Sequence, residues 1–490
     1  MMGVRRIAFA VLVVLFSVVV AGGCSGDDAQ PDKAADIKAE VRQQPDAARP
    51  DLSAPDTAPE VQQQQDLTPE LVLPTEMMPE RPSGWISDMA LAPRNIHTTF
   101  RHDAWNSMVV TWAVDHEMAP IYQPRLWLAV QDEVEDDGVS YAWPYSDDRV
   151  IEGTCREYQE ELVGIPISDI KRLVCEAELT GLKPDKRYYY RVGMWEDFDF
   201  SSGQFVKPNI STVGSFRTGM PKGSRDKFVF ISAGDTRGGY GGLTANSGVY
   251  ANIGAAFWMF NGDMNDTGTQ AEWEMWFNAM EPVNMSSTLM PVLGNHELIA
   301  NVFFEQFSLP EEEDLPEGYL KHAWAFDYGN VHFIGMNSNT ELAVVAQIPW
   351  LVADLEKASS DPDIDWIIVM HHHAVYSSSN HGSTLYVQEH WVPLFEKYGV
   401  DLVFNGHDHM YERTKPIWQG EVNPEKGLTY VVVGAFFSPA YSNGYEWWTE
   451  ISHHGDKGNY SVVEVDGPNL HVVVYSGDGT EVLDQFSFAK

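Results

Sequence analysis

The stretch Asn405–Arg413 reads NGHDHMYER and follows an apolar run that ends at Phe404. A short apolar run of this kind indicates a buried strand, and the Asn-Gly pair at its end indicates a turn. His407 and His409 are therefore expected on the loop that follows the strand. Two imidazoles on one loop are typical of a metal site, although two surface histidines give the same pattern.

Four upstream segments repeat this arrangement, with polar side chains placed directly after an apolar run. They are Gly234-Asp235-Thr236-Arg237, Gly262-Asp263-Met264-Asn265-Asp266, Gly294-Asn295-His296-Glu297 and His371-His372-His373. Ligand sites of open α/β sheets lie at the carboxyl ends of the strands. The recurrence therefore predicts that these carboxylates, amides and imidazoles share one site.

Length and charge limit the number of domains and the kinds of function that the chain can have. The chain has 490 residues, 44% of them hydrophobic, which is enough for two or three domains with buried cores. Acidic residues outnumber basic ones by 71 to 32, and the net charge of −39 at pH 7 argues against nucleic-acid binding as the main role. Phosphate chemistry would then need local support, most simply from metal ions. Three cysteines are too few for a thiolate metal cluster.

Residues 1–24 have the layout of a secretory signal. A basic start precedes the apolar stretch Ile7–Val20, which is short for a transmembrane helix, and small residues then lead to Cys24. The pattern resembles a bacterial lipoprotein signal, so we expect Cys24 to be lipidated and to anchor the exported chain to a membrane of the cell envelope. Ser25 favours the outer membrane, with the protein facing the periplasm or the cell surface. A cleaved signal with an incidental cysteine is the alternative.

Residues 25–85 are rich in Pro, Asp, Gln and Ala and lack periodicity, so they are expected to form a disordered linker. Residues 89–220, the first expected domain, show an all-strand pattern. The turn Leu179–Pro184, followed by Tyr188 and Tyr190, resembles the tyrosine corner of fibronectin type III and immunoglobulin-like sandwiches. Cys155 and Cys175 are expected to form a disulfide, with two separate buried thiols as the alternative.

The second expected domain, residues 225–490, alternates apolar strands with amphipathic helices, which predicts sheets layered against helices. The helical patterns cover Trp350–Ala358 and Val387–Tyr398. The strand-like runs are Lys227–Ala233, Phe257–Asn261, Leu289–Leu293, Val331–Met336, Trp366–Met370, Leu402–Phe404 and Leu428–Gly434.

The polar segments of this domain fit the needs of phosphate-ester hydrolysis. Two cations can neutralise the charge of the ester, lower the pKa of a bound water, and hold the attacking and leaving oxygens. A carboxylate must bridge them, and Asp263 is the candidate. The other candidate ligands are Asp235 and His409 for one ion, and Asn295, His372 and His407 for the second. Oxygen and imidazole donors suit Fe, Mn or Zn.

The order of these motifs between residues 89 and 490 resembles the metallophosphoesterase (calcineurin-like) superfamily, most closely its purple acid phosphatase branch. The resemblance implies an α+β protein, with a fibronectin type III-like β-sandwich followed by a four-layer α/β/β/α domain. It also implies an enzyme with a dinuclear centre, whose metal-bound hydroxide attacks phosphate monoesters.

The same resemblance assigns roles to single residues. It implies that His372, rather than His371 or His373, is the metal ligand, because Tyr376 fixes the register. His296 and His381 match the histidines that contact the phosphate and protonate the leaving group, and Asn295 is expected to help orient the phosphoryl oxygens.

Asp266 and Gly382 depart from the branch, and Arg237 departs from many other metallophosphoesterases. Asp266 replaces the tyrosine that gives these enzymes their colour, so no purple colour is expected. Asp266 is a further candidate ligand. Two equal alternatives are that Asp266 is a solvent-exposed carboxylate, or that it accepts a hydrogen bond from a metal-binding side chain. Arg237 stands two residues after Asp235, where many other metallophosphoesterases carry a metal-binding histidine, and it is expected to meet the phosphate or to form an ion pair. Gly382 replaces a second histidine, which leaves the leaving-group specificity open.

Two other functions fit the same residues. The departures at Asp266 and Gly382 allow a phosphodiesterase that acts on nucleotides or lipid head groups. A metal-bearing surface protein without turnover is the alternative from another class. Further aromatic and imidazole side chains are expected either at the cleft or in unrelated core and surface positions, namely Trp324, Trp447, Trp448, His453 and His454.

Overall fold

The computed structural model describes residues 93–115, 123–130, 135–136, 141–142, 150–162, 164–195, 198–199, 204–205, 211–297 and 300–490. The signal, the lipidation site and the linker lie outside these ranges, so they stay predictions. None of the helices within the ranges combines the length and the apolar character that crossing a membrane requires.

The N-terminal part of the described chain is built of strands. They are β1 (Arg94–Thr99), β2 (Met108–Asp115), β3 (Gln123–Val130), β4 (Glu135–Asp136), β5 (Tyr141–Ala142), β6 (Val150–Glu152), β7 (Thr154–Leu162), β8 (Ile165–Leu179), β9 (Arg187–Trp195), β10 (Phe198–Asp199), β11 (Gln204–Phe205) and β12 (Gly214–Arg217). Strands β1, β2, β8 and β7 are neighbours in one sheet, and β12, β9, β3 and β6 form another. Trp112 of β2 shares one buried core with Leu126 of β3 and Tyr190 of β9. The predicted β-rich N-terminal domain is therefore confirmed.

Two local features of this domain match the sequence. Cys155 on β7 and Cys175 on β8 are direct cross-strand partners and form a disulfide, so the expected bridge is confirmed and the alternative of two separate thiols is wrong. The Tyr188 hydroxyl accepts a hydrogen bond of 2.9 Å from the backbone N–H of Lys183, which ties β9 to the turn before it. The fibronectin type III-like strand order stays a prediction.

The C-terminal part alternates strands and helices, as predicted. It contains β13 (Phe228–Ala233), α1 (Tyr240–Asn252), β14 (Phe257–Phe260), α2 (Gln270–Ala279), α3 (Glu281–Asn284), β15 (Thr288–Pro291), α4 (Val302–Gln306), β16 (Trp324–Tyr328), β17 (Val331–Met336), α5 (Glu341–Ala346), α6 (Ile348–Ser360), β18 (Trp366–His371), α7 (Leu385–His390), α8 (Val392–Tyr398), β19 (Leu402–Asn405), β20 (Met410–Thr414), β21 (Ile417–Trp418), β22 (Glu421–Val422), β23 (Thr429–Val433), β24 (Thr449–His454), β25 (Asn459–Asp466), β26 (Asn469–Ser476) and β27 (Val482–Ala489).

One predicted helix is two. The pattern over Val387–Tyr398 predicted a single helix, but α7 ends at His390 and α8 begins at Val392. Pro393 lies in the first turn of α8, where its missing N–H costs nothing. The same proline inside a continuous helix would remove a backbone hydrogen bond and clash with a carbonyl one turn earlier, so the helix is interrupted there.

The largest sheet runs through both parts of the chain. It has ten strands in the order β27-β26-β25-β13-β14-β15-β1-β2-β8-β7. Thr98 of β1 lies opposite Thr288 of β15 in a parallel pair, so an N-terminal strand extends the C-terminal sheet. One continuous sheet therefore contains strands from both sides of the predicted boundary between residues 220 and 225. The division into two domains there stays a prediction.

A second sheet packs on the first and completes the frame of the C-terminal part. Its seven strands have the order β16-β17-β18-β19-β23-β20-β24. Phe333 of β17 makes edge contacts with Phe230 and Phe257 of the larger sheet, with ring centroids 5.1 Å and 5.0 Å apart. Another core joins Val369 of this sheet to Leu355 of α6. Strands β13 to β15 are parallel to one another, as are β17, β18, β19 and β23.

A buried histidine should give the fold a pH dependence. His332 on β17 lies between two carboxylates, with Nδ1 2.6 Å from Asp327 and Nε2 2.8 Å from Asp354. Burial opposes the charge of the imidazole, but the two carboxylates outweigh burial and raise its pKa to about 9. Because this value exceeds that of an unfolded histidine, about 6.5, the stabilisation is complete below pH 6.5 and is lost as the pH rises through 9.

The free energy of unfolding is therefore expected to fall by up to about 3 kcal/mol between pH 6.5 and 10 because of His332. Urea unfolding of the wild type and of His332→Gln at both pH values measures this, because the variant lacks the titrating group. The expected result is a smaller decrease in the variant. Equal decreases in the two proteins would contradict the assignment of this pH dependence to His332.

Candidate metal centre

The carboxyl ends of parallel strands lie at the same edge of a sheet. The loops that follow β13, β14 and β15 therefore leave one edge of the larger sheet, and those that follow β18 and β19 leave one edge of the second sheet. The two sets of loops meet at one cleft. Each loop carries one of the polar segments found in the sequence. The six side chains predicted as metal ligands lie on these loops, and they are Asp235, Asp263, Asn295, His372, His407 and His409.

Backbone conformation brings the loops close together. Asp235, Asp263 and His407 have positive φ angles of 59°, 51° and 72°, which are uncommon for residues other than glycine. A Cβ atom on Gly294 would lie 2.1 Å from Oδ1 of Asp263, and one on Gly406 would lie 2.3 Å from Oδ2 of Asp235. Only glycine permits these approaches, which explains why glycines precede Asn295 and His407.

His372 lies at the centre of the cluster and is fully buried. Its Nε2 atom is 3.3 Å from Oδ2 of Asp263, 3.1 Å from Oδ1 of Asn295 and 3.1 Å from Nδ1 of His407. Ligand atoms of Asp263, His372 and His407 all lie within 4.8 Å of one another. Oxygen and nitrogen atoms from four loops thus converge on one small volume.

The other side of the cluster is formed by Asp235 and His409, both buried. The two carboxylate oxygens of Asp235 accept the backbone N–H of His407 at 3.0 Å and 2.9 Å. Nε2 of His409 lies 3.5 Å from Oδ1 of Asp235. Asp235 therefore joins the first loop of the site to the last one.

Backbone carbonyls fix the orientation of the buried imidazoles. Nδ1 of His372 lies 2.8 Å from the carbonyl oxygen of Asn261, and Nδ1 of His409 lies 2.6 Å from that of Pro439. A carbonyl can only accept, so Nδ1 is a donor in both rings and Nε2 of each ring points into the cluster. Metal-binding histidines are commonly held in this way.

The charges in the cluster favour a cation. Burial opposes ionisation of Asp263, but the facing His372 outweighs burial and lowers the pKa of this carboxyl to about 2. Burial lowers the pKa of His372, but Asp263 and Asp235 outweigh burial and raise it to about 10. Burial and the charge of His372 lower the pKa of His407, which stays neutral. The buried carboxylates thus attract positive charge, and the neutral imidazole offers a lone pair.

Carboxylate, amide oxygen and imidazole form a donor set that fits Fe, Mn or Zn. The converging oxygen and nitrogen atoms and the carbonyls behind the imidazoles agree with such a site. The assignment of each side chain to a particular ion stays a prediction.

Glu297 contributes to the site in a way that the sequence did not reveal. Its buried carboxylate accepts four backbone N–H groups from two loops. Oε2 accepts from Asp263 and Gly294, each at 2.8 Å, and Oε1 accepts from Met264 at 2.7 Å and Asn265 at 3.2 Å. The motif Gly-Asn-His-Glu contained the residue, but a motif cannot show which backbone groups surround a carboxylate.

His296 and His381, the predicted contacts for the phosphate and the leaving group, lie at the mouth of the cluster. Nδ1 of His296 donates to the carbonyl oxygen of Asp266, and its Nε2 lies 3.7 Å from Oδ2 of Asp263. His381 is exposed, and its ring centroid is 4.2 Å from that of His407. The backbone N–H of His381 donates to Oδ1 of Asp408 at 3.0 Å, a support that the sequence did not predict.

Arg237 and Asp266 pair with each other. Nε of Arg237 donates to Oδ1 of Asp266 at 2.7 Å, so Arg237 forms the ion pair that the sequence left as one of two outcomes. Among the weaker candidates, Trp324 is 1% exposed and donates to the carbonyl of Pro291, which makes it a core residue. Trp447 is 46% exposed.

Two family models match the chain. Residues 228–411 match the model described as calcineurin-like phosphoesterase. Residues 93–218 match the model described as purple acid phosphatase, N-terminal domain. The two matches follow each other in the chain and cover all the predicted metal ligands.

Curated relatives match at low identity. Purple acid phosphatase 15 of Arabidopsis thaliana is 28% identical over 306 residues, which are 54% of this chain and 53% of the plant protein. Acid phosphatase type 7 of Mus musculus is 25% identical over 389 residues, which are 70% of this chain and 78% of the mouse protein. The chain spans about half to three fifths of the length of the first curated relatives it matches.

A solved structure shares the fold. The purple acid phosphatase from yellow lupin seeds superposes with a TM-score of 0.64 at 19% identity, covering 81% of this chain and 74% of the lupin chain. The superposition includes both the β-rich part and the part that holds the cluster, because neither part alone is long enough to make up 81% of the chain.

Proposed function

Because the chain belongs to the calcineurin-like metallophosphoesterases, in their purple acid phosphatase-like branch, we propose that it is a metal-dependent phosphatase that hydrolyses phosphate monoesters. The observation that carries this proposal is the convergence of six donor side chains from five strand ends on one cluster.

In this proposal the cluster holds two ions. Asp263 would be shared by both ions, Asp235 and His409 would complete one ligand set, and Asn295, His372 and His407 would complete the other. Two cations at such a site neutralise the charge of the phosphoryl group and lower the pKa of a bound water. The donor set suits Fe, Mn or Zn, and Asp266, which is paired with Arg237, is not needed as a further ligand.

The chain's own residues supply positioning and proton transfer. The side chain of His296 is 21% exposed, and its Nδ1 is held by the carbonyl of Asp266. Its Nε2 faces the cluster, 3.7 Å from Oδ2 of Asp263, where it would meet a phosphoryl oxygen. Asn295 presents its amide beside His372 and helps to orient the same group. His381, exposed at the rim beside His407, is placed to protonate the leaving oxygen.

Export and a lipid anchor at Cys24 are part of the proposal. The disulfide between Cys155 and Cys175 supports an oxidising compartment, because such bridges are rare in the cytosol. The bond between Lys183 and Tyr188 supports a fibronectin type III-like order of the N-terminal strands. The packing of α2 and α6 against different sheets supports the four-layer arrangement.

A phosphodiesterase is the second candidate. A Cβ atom on Gly382 would meet no atom within 4 Å, so the rim beside His381 is open and offers room for a second ester group. The third candidate is a metal-bearing binding protein without turnover, which the same assay distinguishes from both enzymes.

The test is hydrolysis by the purified chain after loading with Fe, Mn or Zn. The substrates are 4-nitrophenyl phosphate and bis(4-nitrophenyl) phosphate, measured between pH 5 and 8. A higher kcat/KM for the monoester is expected, and a higher value for the diester would favour the second candidate. Full metal loading with neither ester hydrolysed would contradict both and indicate a binding protein.

A further inference from the structure

A cavity of about 460 Å³ opens beside the metal centre. Of the six candidate ligands, only His409 lines it. The side chains that shape the rest of its wall include Arg237, Asp266, Phe437 and Tyr441. Its volume lies within the range of about 300–1,000 Å³ that is usual for small-molecule sites. The cavity is thus next to the cluster, and it is large enough for a group attached to the reacting phosphate.

The guanidinium of Arg237 is only partly used by the protein. Its Nε donates to Asp266, and its two Nη nitrogens have no hydrogen-bond partner within the described part of the chain. The side chain is 23% exposed, and the ion pair fixes the orientation of the planar fork. A fork of free donors held in this way is suited to a carboxylate or a phosphate.

Aromatic rings form the other walls. The ring of Tyr441 stacks on His409 with a centroid distance of 4.0 Å and an angle of 10°. Its centroid is also 5.4 Å from that of His381, the proposed proton donor, so this wall of the cavity reaches the place of the leaving oxygen. Phe437 has a positive φ of 76°. A Cβ atom on Gly239 would lie 2.5 Å from the carbonyl oxygen of Phe437, and one on Gly242 would lie 2.4 Å from its ring. Two glycines and a strained backbone therefore hold Phe437 in place.

We propose that this cavity binds the leaving group of the substrate, and that Arg237 selects leaving groups that carry a second anionic group. The preferred substrate is then a phosphate monoester in which a ring or short carbon skeleton bears a carboxylate or another phosphoryl group. The aromatic walls accommodate the skeleton, and the free Nη donors bind the distal anion. This inference rests on the proposed phosphatase function.

The acidic character of the rest of the protein makes the positive charge of Arg237 distinctive. The net charge of −39 disfavours the binding of anions over most of the surface. An anionic group is therefore expected to bind preferentially where free guanidinium donors are available. Asp266 partly offsets the charge of Arg237 but occupies only its Nε, so directional donors remain. A leaving group with a positive charge would gain nothing from the fork.

The test compares matched esters with the metal-loaded full chain. They are phenyl phosphate, 4-carboxyphenyl phosphate and 4-(aminomethyl)phenyl phosphate, which differ in the charge of the distal group. The wild type is expected to show a kcat/KM for the carboxylated ester roughly tenfold above that for phenyl phosphate, since one charge-assisted hydrogen-bond pair is gained. The aminomethyl ester is expected to be no better than phenyl phosphate.

Arg237→Met is expected to reduce this ratio to about one, mainly through a higher KM for the carboxylated ester. Arg237→Lys, which keeps the charge but loses the fork, should give an intermediate ratio. Arg225→Met is the control, because Arg225 is an exposed cation paired with Asp365. It should leave the wild-type ratio unchanged.

An equal loss of kcat/KM for all three esters in Arg237→Met would overturn the inference, because Arg237 would then contact the reacting phosphoryl group. A wild-type ratio of one would also overturn it, and would leave the phosphatase assignment intact. Failure of the wild type to hydrolyse any of the esters would instead remove the phosphatase assignment, and this inference with it.

Discussion

Asp263→Ala is expected to lower kcat/KM by at least about 10³-fold and to deplete both metals, because the proposed bridge is lost. The carboxylate of Asp263 lies 3.3 Å from Nε2 of His372 and accepts the backbone N–H of His296 at 3.0 Å. Its removal takes away the acid shared by the two proposed ligand sets. The measurement combines elemental analysis of the purified variant with hydrolysis of 4-nitrophenyl phosphate.

Asp226→Ala is the matched control, since Asp226 is an exposed aspartate whose contact is with Ser224 on the surface. It should retain wild-type metal content and activity. An Asp263→Ala protein that keeps both metals and more than a tenth of the wild-type activity would be incompatible with a bridging role.

Glu297→Gln is expected to destabilise the protein by about 2–5 kcal/mol, because each oxygen of Glu297 accepts two backbone N–H groups. The amide group of glutamine replaces one of these oxygens with a donor, which leaves two buried N–H groups without an acceptor. The loops that carry Asp263 and Asn295 are then held less firmly. We therefore also expect metal affinity to fall by about 10–100-fold.

Urea unfolding of the metal-free protein measures the first effect, and competition with a chelator measures the second. Glu313→Gln, at an exposed glutamate, is the control and should behave like the wild type. Unchanged stability together with unchanged metal affinity in Glu297→Gln would show that the four hydrogen bonds do not organise the site.

The strands and the position of the cluster could be predicted because their signals are local. Apolar runs such as Val331–Met336 and Trp366–Met370 coincide with β17 and β18 or differ from them by one residue. The rule that ligand sites lie at the carboxyl ends of strands then predicts that Asp263, after β14 of the larger sheet, and His407, after β19 of the second sheet, belong to one site.

Other features depend on contacts between distant residues, which no local pattern encodes. The pairing of Thr98 with Thr288 joins segments that are far apart in the sequence. The stacking of Tyr441 on His409 comes from a loop without a recognisable motif. The four hydrogen bonds of Glu297 depend on the backbone path of two loops, and a single residue letter does not reveal that path.

The central claim is that side chains from separate strand ends hold a pair of cations bridged by Asp263. Anomalous X-ray diffraction from crystals of the metal-loaded protein tests it most directly. Two anomalous peaks about 3.5–4 Å apart, on either side of the Asp263 carboxylate and in contact with His372 and His409, are the predicted result. A single peak, or peaks that lie away from Asp263, would contradict the account.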